Sequence, residues 1–105
     1  MIARTWHGAV PFHMSDEYFR YLMNTGVPDL KATPGNHGVF VLRRAEGDVT
    51  HFQLISLWDS LDSIKAFAGD DIERARYYPG DELYLQELEP TVCHYEVLEP
   101  SQPGG

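Results

Sequence analysis

Residues 2–10, IARTWHGAV, alternate along the chain in the manner of a strand, with Ile2, Arg4, Trp6 and Val10 on one face and Ala3, Thr5, His7 and Ala9 on the other. Pro11 ends that pattern, and a helical spacing replaces it: Phe19, Leu22 and Met23 stand at i, i+3 and i+4. The spacing predicts a helix to about Thr25, with Ser15 as its N-cap and Asp16 and Glu17 favourably placed in its first turn. Gly26 and Pro28 mark its stop, residues 28–32 add at most one more turn, and TPGN at 33–36 is a turn by composition.

Residues 39–44, VFVLRR, read as a second strand, and the short connection Glu46-Gly47-Asp48 sends the chain back as a hairpin into a third strand at 49–58. On that third strand Phe52, Leu54 and Trp58 point one way, and Val49, Ile55 and Leu57 the other. Apolar residues on both faces predict cover on both faces. In a chain this short, helices can cover only one, so the second cover is expected to be another copy of the chain, a homodimer.

A second helix follows without a linker, capped by Asp59 or Ser60, with Leu61, Ile64, Phe67 and Ala68 as its apolar stripe. Gly69 ends it. Asp70 or Asp71 is expected to restart a short helix on Ile72 and Ala75, which Pro79-Gly80 breaks. Leu83 and Leu85 suggest a short extended piece, and Pro90 precedes a last strand at 91–98, TVCHYEVL. The order strand, helix, strand, strand, helix, strand predicts an α+β, ferredoxin-like split βαβ domain over residues 1–98, an antiparallel sheet with helices on one face. Residues 99–105 read as a disordered tail.

Composition narrows the function classes. The chain has 105 residues, 43% hydrophobic and 23% charged, enough for one core and too few for two ordinary domains. Its 16 acids against 8 bases leave a net charge of −8, which disfavours nucleic acid and anionic membranes as partners. No apolar run is long enough to span a bilayer, and MIARTWHGAVPF does not read as a secretory signal. The single cysteine, Cys93, rules out an intramolecular disulfide and fits a reducing, cytoplasmic location.

The TPGN turn before GVFVLRR, then HFQLISLWDSLDSIKAFAG, YYP and HYEVL, resembles the antibiotic biosynthesis monooxygenase family of dimeric α+β barrels. That family includes cofactor-free oxygenases of aromatic polyketides, quinol oxygenases and haem-degrading enzymes. Trp58 matches the tryptophan that ends the family's third strand. Haem-degrading relatives carry a tryptophan and a histidine at places that fall near Phe67 and Tyr77, and neither residue matches here; many other members carry a histidine near Phe67, also absent. The resemblance therefore implies a cofactor-independent monooxygenase using dioxygen on a small aromatic phenol or quinol. A non-catalytic dimeric module that binds a small ligand is the alternative, and haem degradation ranks third.

Candidate site residues follow from that chemistry, which needs a base, an orienting hydroxyl and aromatic walls. Among five histidines, His7, His51 and His94 fall on strands, while His13 and His37 fall in a loop and a turn. His94 or His51 would be the base, Tyr78 would orient the substrate, and Trp58, Phe67 and Tyr77 would line the pocket. His94 and Tyr95 must face opposite sides of the last strand, so one of them lies under the helices. No HxH or HxxxH spacing supports a metal site, and neither metal nor organic cofactor is expected.

Overall fold

The computed structural model describes residues 1–99, so most of the expected C-terminal tail lies outside the described residues. Four strands form one antiparallel sheet: β1 (Ile2–Pro11), β2 (Asn36–Glu46), β3 (Val49–Trp58) and β4 (Cys93–Glu96), in spatial order β2-β3-β1-β4. Helices α1 (Ser15–Asn24), α2 (Gly26–Ala32) and α3 (Leu61–Ala68) complete the α+β, ferredoxin-like arrangement. β1 pairs with β3 from Ile2↔Trp58 to Pro11↔Val49, and with β4 from Ile2↔Glu96 to Thr5↔Cys93. β2 and β3 form the hairpin, closed by Gly47 and Asp48; Gly47 has φ 60°, as the first position of a type II′ turn requires.

The alternation of β1 and β3 sorts the sheet into two faces. Arg4, Trp6, Gly8 and Val10, with Thr50, Phe52, Leu54, Ser56 and Trp58, are buried beneath the helices. Trp58, Phe52, Tyr18 and Ile64 have no exposed surface at all and form the centre of the core. Trp58 is a packing residue whose one polar atom is satisfied within its own strand, its Nε1–H donating to Ser56 Oγ at 2.8 Å. The opposite face carries Phe40, Leu42 and Tyr95, which are 56%, 44% and 56% exposed.

Several local expectations change. α1 turns Tyr18 and Leu22 inward, while Phe19 and Met23 stay partly exposed. The Tyr18 ring meets Phe52 edge-on at 5.3 Å, and only this rotation lets its hydroxyl reach Asp81. Ser15 is the first residue of α1, not its cap; its hydroxyl donates to the Phe12 carbonyl at 2.6 Å. The chain turns from α1 straight into α2 at Gly26. α3 is capped by Ser60 in a reciprocal box with Ser63, but Leu61 points outward, 48% exposed.

The largest departure is residues 69–92. No helix forms around Ile72 and Ala75: Arg74 bridges Thr91, Ala75 N–H donates to the Pro90 carbonyl and Val92 N–H to the Glu73 carbonyl. These long-range partners take the amides that a helix would have used. Leu83 closes a one-turn 3-10 helix, Asp81–Leu83, instead of an extended piece, and the last strand is shorter than expected.

Gly35 couples the sheet to α3. It has φ 93°, and a Cβ there would lie 2.6 Å from the Ser63 Cβ. Gly47 has φ 60° but opens onto empty space. Gly47→Ala is expected to cost about 1 kcal/mol through backbone strain alone. Gly35→Ala should cost about 1–3 kcal/mol beyond that through overpacking. Urea unfolding midpoints of the two variants check the difference.

Candidate functional site

A cavity of about 30 Å³ lies between the sheet and the helices. It has room for about two water-sized groups, far less than an open ligand pocket. Arg4 and Trp6 reach it from β1, Tyr18 from α1 and Phe67 from α3, while Tyr78 and Asp81 close it from the 69–92 segment. Gly8 leaves the space that the Trp6 indole and Leu85 fill, since a Cβ there would lie 2.5 Å from the ring.

Arg4 is the unusual member. Only 4% of it is exposed, yet among the described residues no ion pair includes it. Its Nη2 donates to the Arg74 carbonyl at 3.2 Å, and its guanidinium lies 5.4 Å from the Phe67 ring centroid. The buried Nε–H has no hydrogen-bond partner. Burial pulls its pKa down to about 10, which still leaves it charged at neutral pH. A desolvated cation without a counter-ion destabilises the fold that holds it.

Asp81, 4% exposed, is the acid that lines the cavity. It accepts from the Tyr18 hydroxyl at 2.7 Å and the Tyr78 N–H at 2.7 Å. Burial, reinforced by the bond to Asp81, raises the Tyr18 pKa, so this phenol remains a donor. On the outer edge Asp29 of α2 accepts from the Tyr78 hydroxyl at 2.6 Å and from Arg76 Nη2 at 3.5 Å. The Arg76 guanidinium also covers the Phe67 ring at 4.8 Å.

Of the residues singled out in the sequence, Phe67 and Tyr78 line this cavity. Trp58 lies behind Phe67, with ring centroids 6.4 Å apart. Tyr77 packs edge-on against Trp6 and donates its hydroxyl to the Glu89 carbonyl. His94 faces the helix side as the direct cross-strand partner of Arg4, and its buried Nε2 has no partner. Burial first, and then the Arg4 charge, lower the His94 pKa, which favours the neutral ring.

His51 lies on the other face of the sheet, in a chain of side chains. His7 Nδ1–H donates to Glu89 Oε2 at 2.5 Å, His7 Nε2 and His51 Nδ1 share a bond of 2.9 Å, and His51 Nε2–H donates to Glu46 Oε1 at 3.3 Å. The sheet separates it from the cavity, so His51 and Tyr78 are not brought together. Arg4, Asp81 and Arg76 were missed as site residues. Arg4 had a visible signal, an arginine on the same strand face as Trp6 and Val10; Asp81 and Arg76 had none, because a single 3-10 turn and irregular backbone carry them. Among the described residues no group of three or more His, Cys, Asp or Glu is placed to hold a metal ion.

No protein-family model matches the chain, and no curated protein sequence does. Solved structures share its fold. The haem degrader MhuD of Mycobacterium tuberculosis, with two haems bound in its active site, aligns with TM-score 0.64 at 17% identity over 97% of this chain and 100% of that one. An arginine-to-serine variant of MhuD with two manganese protoporphyrin IX groups per active site aligns with TM-score 0.64 at 16% identity, over 97% and 99% of the two chains. NE2512 of Nitrosomonas europaea, a protein of unknown function, aligns with TM-score 0.61 at 14% identity, over 99% and 95%. At these identities the likeness establishes the fold alone. The cavity residues do not fit a haem iron. The walls offer no histidine, cysteine or methionine, and the Tyr78 phenol is held protonated by burial and by its bond to Asp29.

The lowered His94 pKa carries a stability consequence. Above the unfolded histidine pKa of about 6.5 the ring is neutral in both states, and its contribution to stability is complete. As pH falls below that value the unfolded chain takes up the proton first, so stability is lost towards the lower folded pKa. Wild-type protein should therefore lose more stability than His94→Gln between pH 7.5 and pH 5.5 in paired urea titrations.

Proposed function

We propose that the protein is a cofactor-independent monooxygenase of the antibiotic biosynthesis monooxygenase type, acting as a homodimer on a small aromatic phenol or quinol. The observation that carries this reading is the aromatic cavity between sheet and helices, with the His94 imidazole, whose buried Nε2 lacks a partner, on the same face of the sheet, in a fold shared with a haem degrader. Substrate would enter where Tyr78 and Arg76 meet Asp29, because those contacts form the exposed edge of the cavity. Phe67 and Trp6 supply the walls, and the Tyr78 hydroxyl orients the ring.

His94, rather than His51, is the base in this scheme, since it shares the cavity side of the sheet with Arg4. Removal of a proton from the substrate leaves an electron-rich anion, which gives electrons to dioxygen. One oxygen atom becomes the new carbonyl of the product; the other leaves as water with the two hydrogens that the substrate loses. The substrate supplies all the electrons, so no external reductant enters the balance. Substrate filling the cavity displaces its water, which protects the intermediates.

The dimer reading rests on the uncovered sheet face, which exposes Phe40 and Leu42 at its β2 edge and Tyr95 at its β4 edge. Sedimentation velocity is expected to find a dimer in the wild type and a folded monomer in the double variant Phe40→Glu, Leu42→Glu. Catalysis is checked with an oxygen electrode and anthrone-type or quinol substrates. His94→Ala should lower kcat about 10²- to 10⁴-fold, and Tyr78→Phe should act mainly on KM. Absence of oxygen uptake by a protein that retains such ligands would leave the non-catalytic binding module as its function. A Soret band on adding haemin, lost on reduction, would instead mark haem breakdown.

A further inference from the structure

We propose that the cavity takes an aromatic oxyanion and that Arg4 is the residue that binds its charge. The guanidinium is almost wholly buried, lines the cavity and has an unpartnered Nε–H. The chain carries 16 acids against 8 bases, yet none of the described acids is paired with it. Asp81 lines the same cavity, but its oxygens are taken by Tyr18 and Tyr78. Arg76, the second guanidinium on the Phe67 ring, already has Asp29 within reach. Arg4 is thus the cation at this site that lacks a negative partner, and a bound oxyanion supplies both the acceptor for Nε–H and the missing charge.

The rest of the ligand follows from the walls. The cavity of about 30 Å³ matches the size of a charged head group, not of a ring. The aromatic body lies against Trp6 and Tyr78 once the Asp29 contacts at the outer edge release. The head is a carboxylate or an ionised phenol. This deepens the oxygenase reading by naming what its substrate presents to the protein. Binding is read without turnover, so loss of anion preference and absence of oxygen uptake are separate results.

The test uses the full chain and calorimetric titration with two pairs of probes, benzoate against benzamide and 4-nitrophenolate against nitrobenzene. The wild type is expected to bind one of the anions about ten- to a hundred-fold more tightly than its neutral counterpart; which anion wins identifies the head group. Arg4→Met should abolish that preference, and Arg4→Lys should keep part of it. Ligand-free Arg4→Met should melt no lower than the wild type, because it removes an uncompensated charge. A purely structural arginine would give the reverse, a lower melting temperature in Arg4→Met. Should Arg4→Met not fold, Arg4→Gln replaces it in the same titrations. Equal affinity for charged and neutral probes, binding of neither anion, or a preference that survives loss of the guanidinium would overturn the proposal.

Discussion

Strand β1 is hydrogen-bonded along both edges, to β3 and to β4, and this double pairing decides which of its side chains lie under the helices. A slip of one residue would move Trp6 and Val10 to the open face and bring His7 inside. Nothing in such a register could be tolerated by the core around Phe52 and Trp58. The apolar members of the strand therefore hold Arg4 where it is. A cation that would be driven to the surface as a free side chain is kept inside because its neighbours at i+2 and i+6 need to be there. The Phe67 ring and the Arg74 carbonyl soften the penalty without cancelling it.

The two sheet faces use histidine in opposite ways. His94, under the helices, is unpartnered, and burial pushes it towards the neutral form. His7 and His51, on the open face, are tied between Glu89 and Glu46. Those three bonds link strands β1 and β3 through their side chains. One arrangement suits a proton acceptor, and the other suits a fixed polar strut across neighbouring strands.

Much of the architecture was legible because it rests on periodicity. The alternation of β1 and β3, the hairpin at Gly47 and the Ser60 cap each have a local signal, and each formed. Phe19 and Met23 misled because an i, i+3, i+4 stripe fixes the spacing of a helix face but not its rotation. That rotation is set by the Tyr18 hydroxyl, whose partner Asp81 lies 63 residues away. Residues 69–92 misled for a related reason: their amides are satisfied by distant carbonyls, and helix-forming residues such as Ile72 and Ala75 do not reveal that. The cavity inherits both difficulties, since Phe67 and Tyr78 were readable as aromatic walls while Asp81 resembled any surface acid.

The placement of Tyr78 and Arg76 on irregular backbone, and of Asp81 on a single 3-10 turn, separates the charge at the bottom of the cavity from its outer wall. The charge at the bottom of the cavity belongs to a central strand, which opens only when the sheet itself comes apart. The outer wall belongs to a segment outside the sheet and the three helices, and such segments open at a lower free energy than core strands. Breadth of ligand choice can therefore drift through insertions or exchanges in that segment, while the demand for negative charge stays inherited with the strand.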